Sequence, residues 1–263
     1  MKVRMYNVGF GDCFCLRDRK KSLLVDFGTN NSRIEGRPRR EIFDVIISDL
    51  STIKSKNLLL THFHMDHLSG LLYMMKKKDI SVDFGKLYLP DVFSKKEMSR
   101  TLVLLLLADL LKESGLPSRQ VSLFALVDAL LENKQNVELL SRGKLFENKY
   151  QALWPDTDVI RKETDEVYNR ICEDGKFKEV MDVLLEFAEK LRLIVWSMTA
   201  EGNKPAETVE KETDLTASEL TEQPEVRQKI VRAYVYEREF RRIKALPDFK
   251  KLLAWLNENQ INL

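Results

Sequence analysis

The chain has little of what holds a small secreted protein together. Its three cysteines, Cys13, Cys15 and Cys172, are odd in number and widely spread. They make no disulfide set, and they point to a reducing, cytoplasmic compartment. No apolar stretch of leader length precedes the Gly9-Phe-Gly11 turn and the charged run from Arg17 to Lys21, so no signal peptide is expected. The longest greasy run, Leu102 to Leu111, is broken by Asp109. At about half of the ~20 residues that span a bilayer it reads as a buried core helix, and no membrane partner is expected. Net charge is nearly absent as well: 43 basic against 41 acidic side chains leave +2. A field that weak gives no global argument for nucleic acid as a partner, so any electrostatic case is local. There is no internal repeat.

What is present suits an ordinary folded protein. The 263 residues are 44% hydrophobic, 32% charged and 9% aromatic, close to the globular average and long enough to bury a real core. Residues 1–100 carry 19 Lys and Arg against 12 Asp and Glu, and the acidic excess lies in the remainder. Met1, Val3 and Met5 alternate with Lys2 and Arg4, the period of a half-buried strand. Cys13 to Leu16 and Ser22 to Phe27 read as a hairpin about the Arg17–Lys21 loop, and Glu41 to Ile53 has the apolar spacing of a helix. Asn57 to Thr61 is a continuous apolar run too short for a helix, best read as a strand buried on both faces. Leu68 to Lys78 reads as a helix ending in three lysines that complement its dipole, and Phe84 to Pro90 as another strand. From Lys95 to about Gly143, and again from Asp158 to Met198, the pattern is helical. A short strand at Tyr150 to Trp154 separates the two. Glu201 to Glu225 is acidic and aperiodic and reads as a linker or disordered loop. Helices are expected again near Val226 to Lys244 and Asp248 to Asn257.

All three histidines of the chain fall in Thr61-His62-Phe63-His64-Met65-Asp66-His67. This run follows a buried strand and precedes a helix, the place where open α/β folds put their sites. Imidazole nitrogen and carboxylate oxygen are preferred ligands of zinc and its neighbours, and His62 and His64, two apart, project to one side of an extended segment. Asp66 and His67 continue round the turn toward a second metal position. A metal with an open coordination position lowers the pKa of bound water to about 7 and polarises the bond to be cleaved. Asp66 is the candidate to orient or deprotonate that water.

The same run resembles the HxHxDH signature of the metallo-β-lactamase superfamily. Two upstream segments agree: Met5-Tyr-Asn-Val-Gly-Phe-Gly-Asp-Cys13 resembles the opening of the branch related to the DNA-uptake competence protein ComEC, and Leu23-Leu-Val-Asp26-Phe-Gly28 resembles the Asp-x-Gly of the first family motif. The resemblance implies an α/β fold of the αββα sandwich type, and a metal-dependent hydrolase using a zinc-activated hydroxide. It implies one or two zinc ions, with manganese or iron as alternatives. His62 and His64 would hold one ion, Asp66 and His67 the other, and Asp26 would support the loop from behind. A phosphodiester or nucleic acid is the first substrate expected, on the branch resemblance and the basic first 100 residues; an amide, ester or thioester stays open.

The resemblance then stops. No histidine follows His67 and no Gly-Asp occurs downstream, so the distal ligands that the family's second half supplies are missing. The expected organisation is therefore the first half of the sandwich with helical insertions, in a single domain over 1–263. Core segments fall at 1–92 and 149–155, helical stretches at 93–148 and 156–258, and residues 259–263 resemble the first strand of a second half. A truncated product or split gene, a degenerate member, and a site completed by a partner chain or a downstream region are all open. The competing function is a catalytically inactive binding or regulatory module in a larger assembly. Weaker signals read more simply: Cys13 and Cys15 as buried small hydrophobes, Gly9 and Gly11 as a turn rather than a phosphate cradle, and the four arginines of Arg33 to Arg40 as a solvated loop.

Overall fold

The computed structural model describes residues 1–18, 21–77, 83–113, 123–133, 135–173, 175–200 and 236–259. Strands β1 (Lys2–Met5), β2 (Phe14–Asp18) and β3 (Lys21–Val25) form an antiparallel meander, as the alternation and the charged turn dictate. A small hairpin, β4 (Arg33–Ile34) with β5 (Arg37–Pro38), leads into α1 (Arg39–Ser51). Next come β6 (Ser55–Leu59), α2 (Met65–Lys76), β7 (Leu87–Pro90), α3 (Ser99–Glu113), α4 (Leu123–Asn133) and β8 (Val137–Leu140). The six strands β1-β2-β3-β6-β7-β8 make one sheet in that order, antiparallel up to β3 and parallel from β3 onward. Hairpin β9 (Leu145–Phe146) and β10 (Tyr150–Gln151) and helices α5 (Thr157–Cys172), α6 (Lys178–Ser197), α7 (Tyr236–Ala245) and α8 (Phe249–Glu258) complete the described chain. This is the mixed α/β architecture expected. No helix among the described residues is long and apolar enough to cross a membrane.

The sheet is covered unequally. On one face Cys15, Leu24, Leu58, Leu87, Leu89 and Val137 enter the main core with the helices. Registered pairs fix the opposite face: Met5, Phe14, Val25, Leu59 and Tyr88 lie in one cross-strand row. Here, among the described residues, only the β9–β10 hairpin packs on the sheet, burying Leu23, Tyr88 and Leu140 against Phe146 and Ala152. Glu147, in the hairpin turn, accepts a hydrogen bond from the Tyr88 hydroxyl (2.6 Å) and another from the Asn57 amide, which clips the hairpin down. Val3 and Met5 stay more than half exposed on that face. Strand β6 is therefore buried on one side and only half covered on the other, not buried on both as its apolar run suggests.

Two expectations about this region change. The strand expected over 149–155 is reduced to Tyr150–Gln151 and pairs only with β9. The sixth strand of the main sheet is instead Val137–Leu140, inside the stretch 93–148 expected to be helical. A four-residue apolar run carries no periodicity of its own, so the helical pattern before it masked the change. The segments 201–225 and 226–235 lie outside the described residues, as do residues 260–263. Asn259 caps α8.

One polar knot ties the meander to α1. Asp49 accepts hydrogen bonds from Arg4 Nη1 (2.7 Å), Arg17 Nη2 (2.9 Å) and the Tyr6 hydroxyl. Burial opposes its ionisation, but Tyr6, Arg17 and Arg4 outweigh burial and hold the carboxyl below its usual range. A depressed folded-state pKa gives stability that is present above the unfolded value, near 3.9, and is lost as pH falls through the folded value. Asp49→Asn is expected to lower stability by about 1 kcal/mol at pH 7, a value reduced for partial exposure. The difference from wild type should shrink as the pH falls from 7 to 2, which urea unfolding at the two pH values checks.

Candidate metal centre

The site forms where β3 and β6, a parallel pair, end together. Asp26 leaves β3 with a left-handed φ of 54° and only 3% exposure, a strained backbone of the kind that concentrates at functional sites. Its backbone N–H donates to Leu59 O (2.8 Å), which aligns the two strand ends. Its carboxylate accepts three hydrogen bonds: Oδ1 from Thr61 N (2.8 Å), and Oδ2 from Thr61 Oγ1 (2.6 Å) and from His67 Nδ1 (2.9 Å).

These bonds fix both histidine tautomers. Thr61 gives its one hydroxyl proton to Asp26, so its contact with His62 Nδ1 (3.0 Å) must run from Nδ1–H to Oγ1. His67 likewise donates Nδ1–H to Asp26. In the neutral form both imidazoles therefore leave Nε2 bare, the ligand form. Burial, then His67 and His64, hold His62 below the ordinary histidine range, so it is neutral at pH 7. Burial also disfavours charge on His67, but the hydrogen bond to Asp26 and the charges of Asp26, Asp66 and Asp12 outweigh it and raise its pKa.

Helix α2 begins at Met65, earlier than the apolar spacing from Leu68 indicates, so Asp66 and His67 sit in its first turn rather than on the loop. An acidic side chain there suits the positive end of the dipole. His64 is the extended residue before the helix, with φ −76° and ψ 150°. The consequence is a regrouping. His62, Asp66 and His67 bring one ligand atom each to within 4.8 Å of one another. The rings of His62 and His67 lie 3.6 Å apart by centroid, and His67 Nε2 is 3.8 Å from Asp66 Oδ2. His64 is outside that group and meets His62 edge-on at 4.6 Å. His62 thus groups with Asp66 and His67, whereas the expected pairing put it with His64. Asp26 lies beside this group, hydrogen-bonded to His67.

Sequence reasoning missed Asp12. It ends the turn Gly9-Phe-Gly-Asp, and its Oδ2 lies 3.7 Å from His67 Nδ1. Asp12, Asp26 and His67 form a second close group, in which Asp26 already accepts from three donors. Asp12 N donates to Asp66 O (3.2 Å) and Gly28 N donates to Asp12 O (3.3 Å). Gly11 makes this approach possible, since a Cβ there would stand 2.3 Å from Gly28 O. The signal available in the sequence was Gly11-Asp12 beside Asp26-Phe-Gly28, two glycine-bearing turns at strand ends. Three carboxylates, Asp12, Asp26 and Asp66, therefore surround one histidine, and among the described residues no Lys or Arg pairs with any of them. A cation is the charge that such a set lacks.

An apolar groove of about 260 Å³ starts at Thr61 and runs between Leu59, Pro90 and the 151–154 segment, with Trp154 on its rim. A larger cavity of about 540 Å³ lies along β8 and the end of α6; it contains none of these ligands and is separate from the site. Cys13 and Cys15 are both buried, and burial followed by the Cys15 and Asp26 charges pushes the Cys13 thiol up. Buried small hydrophobes remain their reading.

The family model of the metallo-beta-lactamase superfamily matches residues 6–91, the segment that holds Asp12, Asp26 and the histidine run. No curated protein and no solved structure matches the chain.

Proposed function

We propose that the chain is a metal-dependent hydrolase whose ion is held by His62, Asp66 and His67, and that its substrate is a phosphodiester. The observation that carries this reading is the grouping of two histidines, each tied through Nδ1, and one carboxylate within 4.8 Å. Catalytic zinc sites use three protein ligands and leave the fourth position open, whereas structural sites close all four. The donor set thus fits zinc, and two histidines with a carboxylate also suit manganese or iron. When bound, the metal would supply Lewis acidity, polarising the bond to be cleaved and making water a better nucleophile at neutral pH.

The protein's own groups supply the rest. Asp26 holds His67, and through Thr61 also His62, with Nε2 free. Asp66 has a second carboxylate oxygen with which to orient water and take its proton. Arg33, Arg37 and Arg40 are exposed on the β4–β5 segment and the start of α1. That segment packs on the turn bearing Asp12, because Asn31 Oδ1 accepts from Phe10 N (3.1 Å) and Ile34 stands against Gly9. These exposed arginines are groups that a phosphate backbone could meet. One ion needs no further donor from protein, while a second ion at His64 would draw its remaining ligands from a partner chain or a downstream region.

The test is hydrolysis of bis(p-nitrophenyl) phosphate by the chain loaded with zinc or manganese. Turnover that is abolished by chelation and by His62→Ala is the expected result. A metal-loaded chain that leaves this diester intact but cleaves a thioester or amide would refute the substrate class.

A further inference from the structure

The turn at residues 9–12 is built at a cost that an ordinary loop does not require. Gly11 has Gly28 O, Asp66 O and Thr29 Cα at 2.3–2.7 Å from where a Cβ would stand. Gly28 is equally closed, with the backbone of Asp66 and Leu68 at 2.6–2.7 Å. Two glycines therefore let three segments meet backbone to backbone. The residue delivered there is Asp12, hydrogen-bonded through its main chain to Asp66 on one side and Gly28 on the other. Among the described residues its carboxylate makes no hydrogen bond; it is 43% exposed, lies 3.7 Å from His67 Nδ1, and shares that close group with Asp26.

We propose that Asp12 is a positioning residue of the metal centre, acting on the ion through His67. This rests on the metal-centre reading above. The Nδ1 side of His67 faces two carboxylates, Asp26 in direct hydrogen bond at 2.9 Å and Asp12 at 3.7 Å. A cation on Nε2 draws electron density through the ring and makes Nδ1–H a stronger donor. An anion beside that proton stabilises the loaded state more than the empty one, which raises the basicity of His67 as a ligand. Asp26 sets the ring's orientation and Asp12 adds charge. Because Asp12 is joined to Asp66 and Gly28 through its main chain alone, removing its charge leaves the scaffold intact.

Zinc affinity of the full chain, measured by competition with a chromophoric chelator, tests this in wild type, Asp12→Asn, Asp12→Glu and Glu41→Gln. Glu41 is an exposed acid in the first turn of α1 and controls for loss of charge alone. Asp12→Asn is expected to bind zinc about 10-fold more weakly, the low end of the range for groups that orient metal ligands. Glu41→Gln should change affinity by less than twofold, and Asp12→Glu should recover part of the loss. The melting temperature of metal-free Asp12→Asn should equal that of wild type. Loaded with cobalt(II), this variant should keep the wild-type visible bands, since the ligands themselves are unchanged. Equal zinc affinity in wild type and Asp12→Asn overturns the role of Asp12 and leaves the metal centre standing. Altered cobalt bands would make Asp12 a direct ligand and overturn its action through His67. No zinc binding by wild type overturns both readings.

Discussion

Asp66→Ala is expected to reduce kcat/KM for a phosphodiester by about 1,000-fold or more, and zinc affinity with it, while the protein stays folded. In the proposed site the carboxylate would be one of three donors and also the group to take the proton from water, a contribution of ~100- to 10,000-fold in enzymes that use one. About 1,000-fold corresponds to roughly 4 kcal/mol of transition-state stabilisation. The fold should survive because Asp66 holds its neighbours through its backbone: its carbonyl accepts from Asp12 N. Loss of a first-turn acid costs only ~0.5 kcal/mol through the helix dipole. His67→Ala would be a poorer test, since it also strips Asp26 of a partner in a site where that carboxylate is 3% exposed. Circular dichroism and a thermal melt of the metal-free Asp66→Ala protein separate the two effects. Retained phosphodiesterase activity in this variant would refute the ligand assignment.

The second large effect is steric. Gly28→Ala is expected to destabilise the protein by about 3 kcal/mol, the upper part of the usual range for overpacking. For a chain of this size that lowers the melting temperature by roughly 10 °C. An alanine Cβ at position 28 would lie 2.6 Å from Asp66 C and Leu68 N and 2.7 Å from Asp66 O. All three are backbone atoms, so no side chain can rotate away. The first turn of α2 would have to move, and it is fastened to the same loop by Phe27 N to His67 O (2.7 Å) and Gly70 N to Phe27 O (2.8 Å). Metal affinity should fall together with stability, because Asp66 and His67 ride on that turn. Gly143, with φ 88° and open space around it, gives the contrast. Alanine there meets only backbone strain of ~1 kcal/mol and should leave zinc binding unchanged. Calorimetry and the same chelator competition check both variants.

The parts of this protein that the sequence made legible are those whose cause is local. The histidine run is contiguous, so its chemistry could be read directly. The meander of β1 to β3 follows from alternation and a charged turn, and α1 from apolar spacing. Asp26 entered through resemblance, not through its own neighbours. What was illegible depends on packing across distance. His62 joins Asp66 and His67 rather than His64 because α2 starts at Met65, and the apolar residues that reveal the helix begin only at Leu68. The place of Asp12 depends on two glycines whose need becomes visible only when three turns are superposed. Strand β8 is four apolar residues, which a helix or a strand can supply equally well. Its pairing with β7 decides the matter, and such a pairing is a property of the whole sheet.

Elemental mass spectrometry of the purified chain reads whether His62, Asp66 and His67 hold one metal ion. About one zinc, manganese or iron atom per chain is expected in wild type, falling close to zero in His62→Ala and Asp66→Ala. Metal far below one per chain in wild type, or metal at the wild-type level in both variants, would contradict the account.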